Sequence, residues 1–421
     1  MTETLDATFA RIRSAFGIEL PPSPETLRRL QNREIPLEGR EEMVARMVAP
    51  HLLAYNTSYE RIGAMLEDCL SEAYRRQMVD DFGGGWVYSW HCMDHMGYMH
   101  NPRYKDVGYG NVFRFYRQAL AQWSQGQDEL NWHFHPVSIT GHPLHAATSY
   151  VNAYPMLTEI LCRRILEDRW FPVVNRPGFH SERPDSHAFL EQWIPFDYAN
   201  QSHEDDVDQP DLAGGRFGDW RRAPKSWRAY HPHHDDHQLE GACRRIIFRC
   251  LNVGTRLRTL NMSHVHEAFT EARQHGVAVL AFANHDYRDI RPDVATVRDM
   301  LEKTRALYPD VRIRFSGAEA AARELIGAVD APPLKLGITL NGTRLDIGVV
   351  QGRVFGPQPY LALQGRDGKV YHDNLDIQEP GLRWSYQLDE QTLPIGALSR
   401  VAVASAGRFG GFDVAQLDME A

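Results

Sequence analysis

The spacing of apolar residues changes character twice along the chain, and each change predicts a change of architecture. Through the first eighty residues apolar positions recur at helical intervals; Ile62, Met65, Leu66, Cys69, Leu70 and Tyr74 form one such series, opened by Asn56-Thr57-Ser58. Ser23-Pro24-Glu25 predicts another helix start, with a capping serine, proline at the first helical position and an acidic first turn. Asp81-Phe82-Gly83-Gly84-Gly85 then breaks the pattern. From Trp86 to about Ile326 short apolar runs alternate with helical stretches, as βα units feeding a parallel sheet or barrel do. Strands are expected at 86–90, 131–137, 170–174 and 277–283, and helices at 111–122 and 150–168. A further helix stops at Gly276. Residues 311–315 alternate like an edge strand, and Ser316-x-x-Glu319 reads as a capping box for a helix over 318–326.

After Ala331-Pro332-Pro333 the period becomes two, beginning with Leu334-x-Leu336-x-Ile338-x-Leu340. Turn signals follow at Asn341-Gly342 and Asp367-Gly368, and Val401-Ala402-Val403-Ala404 supplies a late strand, together predicting a small β-sandwich. The expected fold is α/β: a helical segment over 1–80, a (β/α) barrel over 81–328 and a β-sandwich over 333–421.

Composition narrows the functions open to such a chain. Its 46 basic and 55 acidic residues give a net charge of −9, with no basic run, which disfavours nucleic-acid binding. Five cysteines without paired spacing read as reduced thiols of a cytoplasmic protein. The acidic start Met1-Thr2-Glu3-Thr4-Leu5-Asp6 lacks a signal-peptide core, and no apolar run is long enough for a membrane span. A cytoplasmic location is therefore expected. The unusual feature is twenty histidines, several of them crowded into three segments.

Trp132-His133-Phe134-His135-Pro136 is the most informative of these segments. On a strand, His133 and His135 project from one face and can chelate one metal ion, which a nearby carboxylate would complete into an open three-ligand centre. His142-Pro143-Leu144-His145 competes as a ligand pair, although the proline disfavours a regular helix interior. Asp94 and His95, where a strand enters a glycine-containing loop, are candidates for metal binding or base catalysis. Arg176 follows another strand and suits anchoring of a carboxylate or an anionic substrate. Asp197 is a carboxylate among aromatics. His285-Asp286 ends an apolar strand, an arrangement that suits a general acid held by a carboxylate. The tract His231-Pro232-His233-His234-Asp235-Asp236-His237 falls in a long loop over 201–238, read as a lid over the site.

Taken in order, these segments resemble the polysaccharide deacetylases of carbohydrate esterase family 4, over about residues 80 to 326. That resemblance implies the deformed (β/α) barrel of NodB type and metal-dependent removal of an N-acetyl group from a sugar or glycan precursor. It also implies a divalent metal, Zn²⁺ above all, on Asp94, His133 and His135. The family's Thr-Phe-Asp-Asp-Gly resembles Cys92-Met93-Asp94-His95, with one aspartate in place of two. Either Asp94 binds metal and the base lies elsewhere, or Asp94 is the base and His95 takes the ligand's place. The family's His-x-x-x-His is replaced by the closer pair His133 and His135. Arg176-Pro177-Gly178-Phe179 resembles the arginine motif, Asp197 the orienting aspartate, and Ala281-Phe282-Ala283-Asn284-His285 the terminal Leu-x-x-His, with His285 as acid. The branch resembled is that of O-antigen and capsule clusters, and the expected partner is a glycan or nucleotide- or lipid-linked sugar. The C-terminal unit is a candidate carbohydrate-binding or homo-oligomerising module. Two rivals fit the same residues: a same-fold hydrolase of another C–N bond, and a non-catalytic sugar-binding subunit.

Overall fold

In the computed structural model the described residues are 4–56, 58–94, 110–137, 139, 149–203, 218–256 and 258–419, apart from the side chains of Ser14 and Asp94. Six strands, β1 (Ser89–Asp94), β2 (Glu129–Phe134), β3 (Val174–Asn175), β4 (Phe196–Asn200), β5 (Ile246–Asn252) and β6 (Ala281–Ala283), form one sheet in chain order. All neighbouring pairs are parallel, so each connection crosses over through helix or coil. The sheet curls into a half-barrel. Tyr150–Leu166, Met262–His275 and Arg291–Leu307 are the long helices of this part. Strands β4 and β5 are buried throughout, as strands covered on both faces must be.

The early helices start where the sequence places them. Ser23 accepts from the Thr26 N–H at 3.0 Å ahead of Pro24–Gln31, and Ser58 caps Tyr59–Cys69. Phe9, Ile12, Ile18, Leu30, Leu37, Val44 and Val48 give this N-terminal part its own apolar cluster. It is tied to the sheet by Arg75, whose buried guanidinium forks onto Asp128 at 2.9 and 2.5 Å.

Beyond Pro333 lie two four-stranded antiparallel sheets. Strands β7 (Lys335–Asn341), β8 (Arg344–Gln351), β9 (Tyr360–Gly365), β10 (Val370–Asp373), β11 (Asp376–Glu379), β12 (Arg383–Gln387), β13 (Leu398–Ala406) and β14 (Phe412–Asp418) run in the orders β10-β9-β13-β14 and β11-β12-β8-β7. The alternation along β13 explains how both faces of its sheet are filled. Val401 and Val403 join Leu361, Leu363, Leu345 and Ile347 in a core shared by the two sheets. Ala402, Ala404 and Ala406 turn the other way into the core of the half-barrel, where small side chains let the helix Tyr150–Leu166 approach.

Several expectations need correction. Residues 311–315 form no strand; the segment is pinned by carboxylates instead, Ile313 N–H donating to Asp81 at 2.6 Å and Phe315 N–H to Asp80 at 2.8 Å. The helix Ala318–Leu325 does not use Ser316 and Glu319 as a capping box. Its first N–H groups donate to Ser89 Oγ and to the Glu129 carboxylate, both from the sheet. The strand expected over 277–283 shrinks to Ala281–Ala283, half-buried because this apolar run packs against the core while also lining a cavity. Among the described residues no helix is long and apolar enough to cross a membrane.

Candidate functional site

The curl of the sheet encloses a cavity of about 1400 Å³, lined by His91, His133, His135, His180 and His285 but by no residue of the 231–237 tract. Paired residues of neighbouring strands share a face of the sheet, so the strand register sorts the candidates. His133 pairs with Met93 and faces the cavity. Trp132 pairs with Asn175, and Asn175 with Asp197, so these three share the opposite face. Arg176 and Tyr198, each one residue further on, return to the cavity side.

His133 and His135 do converge: their Nε2 atoms are 2.9 Å apart. His133 makes a short hydrogen bond through Nδ1 to the Arg176 carbonyl, which can only accept. That assigns the ring hydrogen of neutral His133 to Nδ1 and leaves Nε2 with a bare lone pair. Fixing the tautomer through the second nitrogen is how proteins orient metal-binding imidazoles. Two such nitrogens this close can share one cation at the usual zinc–nitrogen distance of about 2.0–2.1 Å. Without a cation the same contact is a His135 Nε2–H donating to His133. The close pairing needs Gly178, because a Cβ at that position would lie 2.5 Å from the His135 ring.

The rest of the expected ligand set is not described. The side chain of Asp94 and residues His95, His142 and His145 lie outside the described residues. Among the described residues no group of three or more His, Cys, Asp or Glu side chains is placed to hold a metal ion. The histidine pair is thus a fitting half-site.

Arg176 is buried, and its guanidinium donates to Tyr198 O at 2.9 Å and Asn252 Oδ1 at 3.3 Å rather than to a carboxylate among the described residues. Asn252 is in turn held by Gln201 Nε2 at 3.0 Å. His285 lines the cavity, its ring against Tyr287 with centroids 4.9 Å apart. Asp286, expected to orient His285, instead accepts a short hydrogen bond from Tyr116. Burial, and then the charge of Asp286, hold the Tyr116 hydroxyl well above its ordinary pKa.

Asp197 does not reach the cavity. It lies on the outer face, bonded to Asn175 at 2.9 Å and, by a short contact, to Arg245. Arg245 also forks onto Glu182 at 2.6 and 3.1 Å, and its Nη2 donates to His187 Nδ1 at 2.6 Å. His187 Nε2–H reaches the carbonyls of His233 and His234, so part of the tract read as a lid is anchored to this cluster. One guanidinium faces two buried carboxyls here. Burial and the negative charge of Glu182 raise the pKa of Asp197 well above the carboxylate range; Glu182, although burial opposes it, is held ionised by Arg245.

Two cavity histidines carried no sequence signal for a role. His91 lies two residues before Met93, hence on its face, with Nδ1 3.3 Å from the Trp132 carbonyl. Burial, helped by the positive charge of Arg176, pushes its pKa down to about 3; burial takes His133 to about 4. His180 follows Phe179, both with positive φ (54° and 51°), a conformation that bulky residues rarely adopt. That turn brings both side chains to the cavity wall. Burial, with Arg176 and Arg258 nearby, keeps His180 well below its usual pKa. Tyr88, Trp90 and Tyr116 stack in series on the other face of β1, the one it shares with Trp132, with centroids 5.1 and 5.2 Å apart. The site therefore sets the neutral imidazoles of His91, His133 and His180 beside buried guanidiniums. Comparison with protein-family models, with curated proteins and with solved structures finds no match for this chain.

Proposed function

We propose that this chain is a metal-dependent hydrolase that removes an N-acetyl or other N-acyl group from a sugar or glycan precursor, in a barrel of NodB type. The observation that carries the reading is the His133–His135 pair, with its Nε2 atoms 2.9 Å apart in a large cavity and the His133 tautomer set by the Arg176 carbonyl. Zn²⁺ on His133, His135 and Asp94 fits this donor set, imidazole and carboxylate being ordinary zinc ligands. Bound there, the metal supplies Lewis acidity toward an acyl carbonyl and toward water.

The chain's own groups do the rest. Asp94, at the end of β1, is the carboxylate assigned to the proton of the attacking water or to the metal. His285 donates the proton to the departing amine, held in place by Tyr287 and by the turn after β6. Arg176 contributes through its carbonyl, which fixes His133, and through a guanidinium that keeps positive charge in the wall.

The test is acetate release from N-acetylated monosaccharides, oligosaccharides and sugar nucleotides by protein reconstituted with Zn²⁺. Turnover on one class is expected, with His285→Gln lowering kcat by about 10²- to 10⁴-fold. Fully loaded protein that releases no acetate from any of the three classes would refute the reading.

A further inference from the structure

We propose that the turn after β6 carries an oxyanion subsite, built on Arg288, that takes a phosphate or carboxylate group of the substrate. The inference rests on the cavity being the substrate site. Arg288 is 3% exposed and lines the cavity, yet its Nε and Nη2 are buried without a hydrogen-bond partner. No carboxylate among the described residues lies within ion-pair distance of it. A buried guanidinium with unmet donors is costly, and such groups call for a partner that arrives from outside the chain. The two bare N–H groups belong to one edge of the planar guanidinium. That edge is closed to solvent in the unliganded chain, and its parallel donors match two oxygens of one carboxylate or phosphate that a small movement of the side chain would admit.

The turn that carries Arg288 is braced along its backbone. Arg288 N–H donates to His285 O at 3.2 Å, closing the turn. The guanidinium lies 4.8 Å from the centre of the Tyr287 ring, which meets Tyr55 edge-on at 5.5 Å. Asn56 clamps the same segment from the helical part, its N–H donating to Tyr287 O at 2.6 Å and its Nδ2 to Asp286 O at 3.1 Å. The nearby acids are otherwise engaged. Asp286 takes the Tyr116 hydroxyl, and Asp293 takes Asn284 Nδ2 at 2.6 Å while burial raises its pKa. Arg176, another buried guanidinium of the cavity, donates to a carbonyl and an amide and has no carboxylate partner among the described residues. Among the described residues neither Arg288 nor Arg176 has a carboxylate in ion-pair contact, although the charge of Arg288 is felt by Asp293, and two such guanidiniums in one cavity suit an anionic sugar.

The test is calorimetric titration of the full chain with inorganic phosphate, uridine monophosphate, acetate and glucuronate. At least one probe is expected to bind, about tenfold or more weakly in Arg288→Gln, with Arg288→Lys between because an ammonium cannot present two parallel N–H groups. Binding confined to the phosphates assigns the group to a phosphate ester; binding confined to the carboxylates assigns it to a uronic acid. The proposal is overturned if no probe binds the wild type, or if Arg288→Gln binds as the wild type does. Should Arg288→Gln fail to fold, wild-type affinity in Arg288→Lys overturns it equally. The titration reads neither metal nor turnover, so its failure leaves the hydrolase reading intact, and a chain that hydrolyses no N-acetyl sugar leaves this result standing.

Discussion

Replacing Arg245 with methionine is expected to destabilise the protein by about 3–5 kcal/mol, the usual cost of removing one partner from a buried ion pair. Arg245, Glu182 and Asp197 have side chains with no exposure, and among the described residues the guanidinium is the one cation paired with the two carboxyls. Methionine matches its bulk but leaves Glu182 charged in an apolar setting and removes the donor to His187. That histidine holds the carbonyls of His233 and His234, so the loop over 231–237 loosens as well. Domain stabilities run to about 5–15 kcal/mol, so the variant should lie near its unfolding midpoint at moderate urea. Urea titration followed by tryptophan fluorescence measures the loss. Introducing Glu182→Gln and Asp197→Asn alongside should recover part of it, because the orphaned charge is then gone. A single variant within about 1 kcal/mol of wild type would mean that the cluster does not hold the fold together.

The second large effect is loss of stability in mild acid. The His91 pKa lies near 3 in the folded chain against 6.5 for a free histidine, while His187, His237 and His372 are also lowered, burial being the first cause in each. Above about pH 6.5 these rings are neutral folded or unfolded and the shift has no effect. Below it the unfolded chain binds more protons, so stability falls as pH falls toward the folded pKa values. At pH 5 the His91 shift alone is worth up to about 2 kcal/mol, from a gap of about 1.5 units. The melting temperature should therefore drop between pH 7 and pH 5, and drop less in His91→Asn, whose amide keeps a donor for the Trp132 carbonyl. A melting temperature that holds or rises over that interval would contradict the buried, neutral state of these rings.

How much of this was legible in the sequence depended on whether a feature is local. Serine caps, period-two runs and glycine turns are local. Ser23 and Ser58 cap where expected, and Gly342 (φ 62°) and Gly368 (φ 80°) sit in the hairpin turns signalled by Asn-Gly and Asp-Gly. The His133–His135 convergence was legible for the same reason: the extended chain runs one residue past the end of β2, so His135 keeps to the face of His133. Strand register is not local. Asp197 looked available for catalysis until its pairing with Asn175 set it on the outer face, where Arg245 accounts for it. Strand β5 escaped notice because Arg245 and Arg249 flank and interrupt its apolar run, and their partners come from distant segments. The apolar stretch before β6 read as core alone and turned out to line the cavity as well. Glu129 capping the helix Ala318–Leu325 is a contact across some 190 residues, which no local motif could announce.

The helical segment and the half-barrel also cooperate in a way that spacing could not show. Asn56, Tyr55 and the carbonyls of Met47 and Leu52, the last two held by Arg256, brace the loops after β5 and β6. The rim that carries His285 and Arg288 is therefore rigid before any ligand arrives, a condition for precise positioning.

The central claim is that His133 and His135 hold a metal ion, and elemental analysis of the purified protein tests it most directly. Wild-type chain should carry about one equivalent of zinc or a similar divalent ion, and the His133→Ala/His135→Ala double variant, folded by circular dichroism, should carry none. Equal metal in both, or none in the wild type after reconstitution, would contradict it.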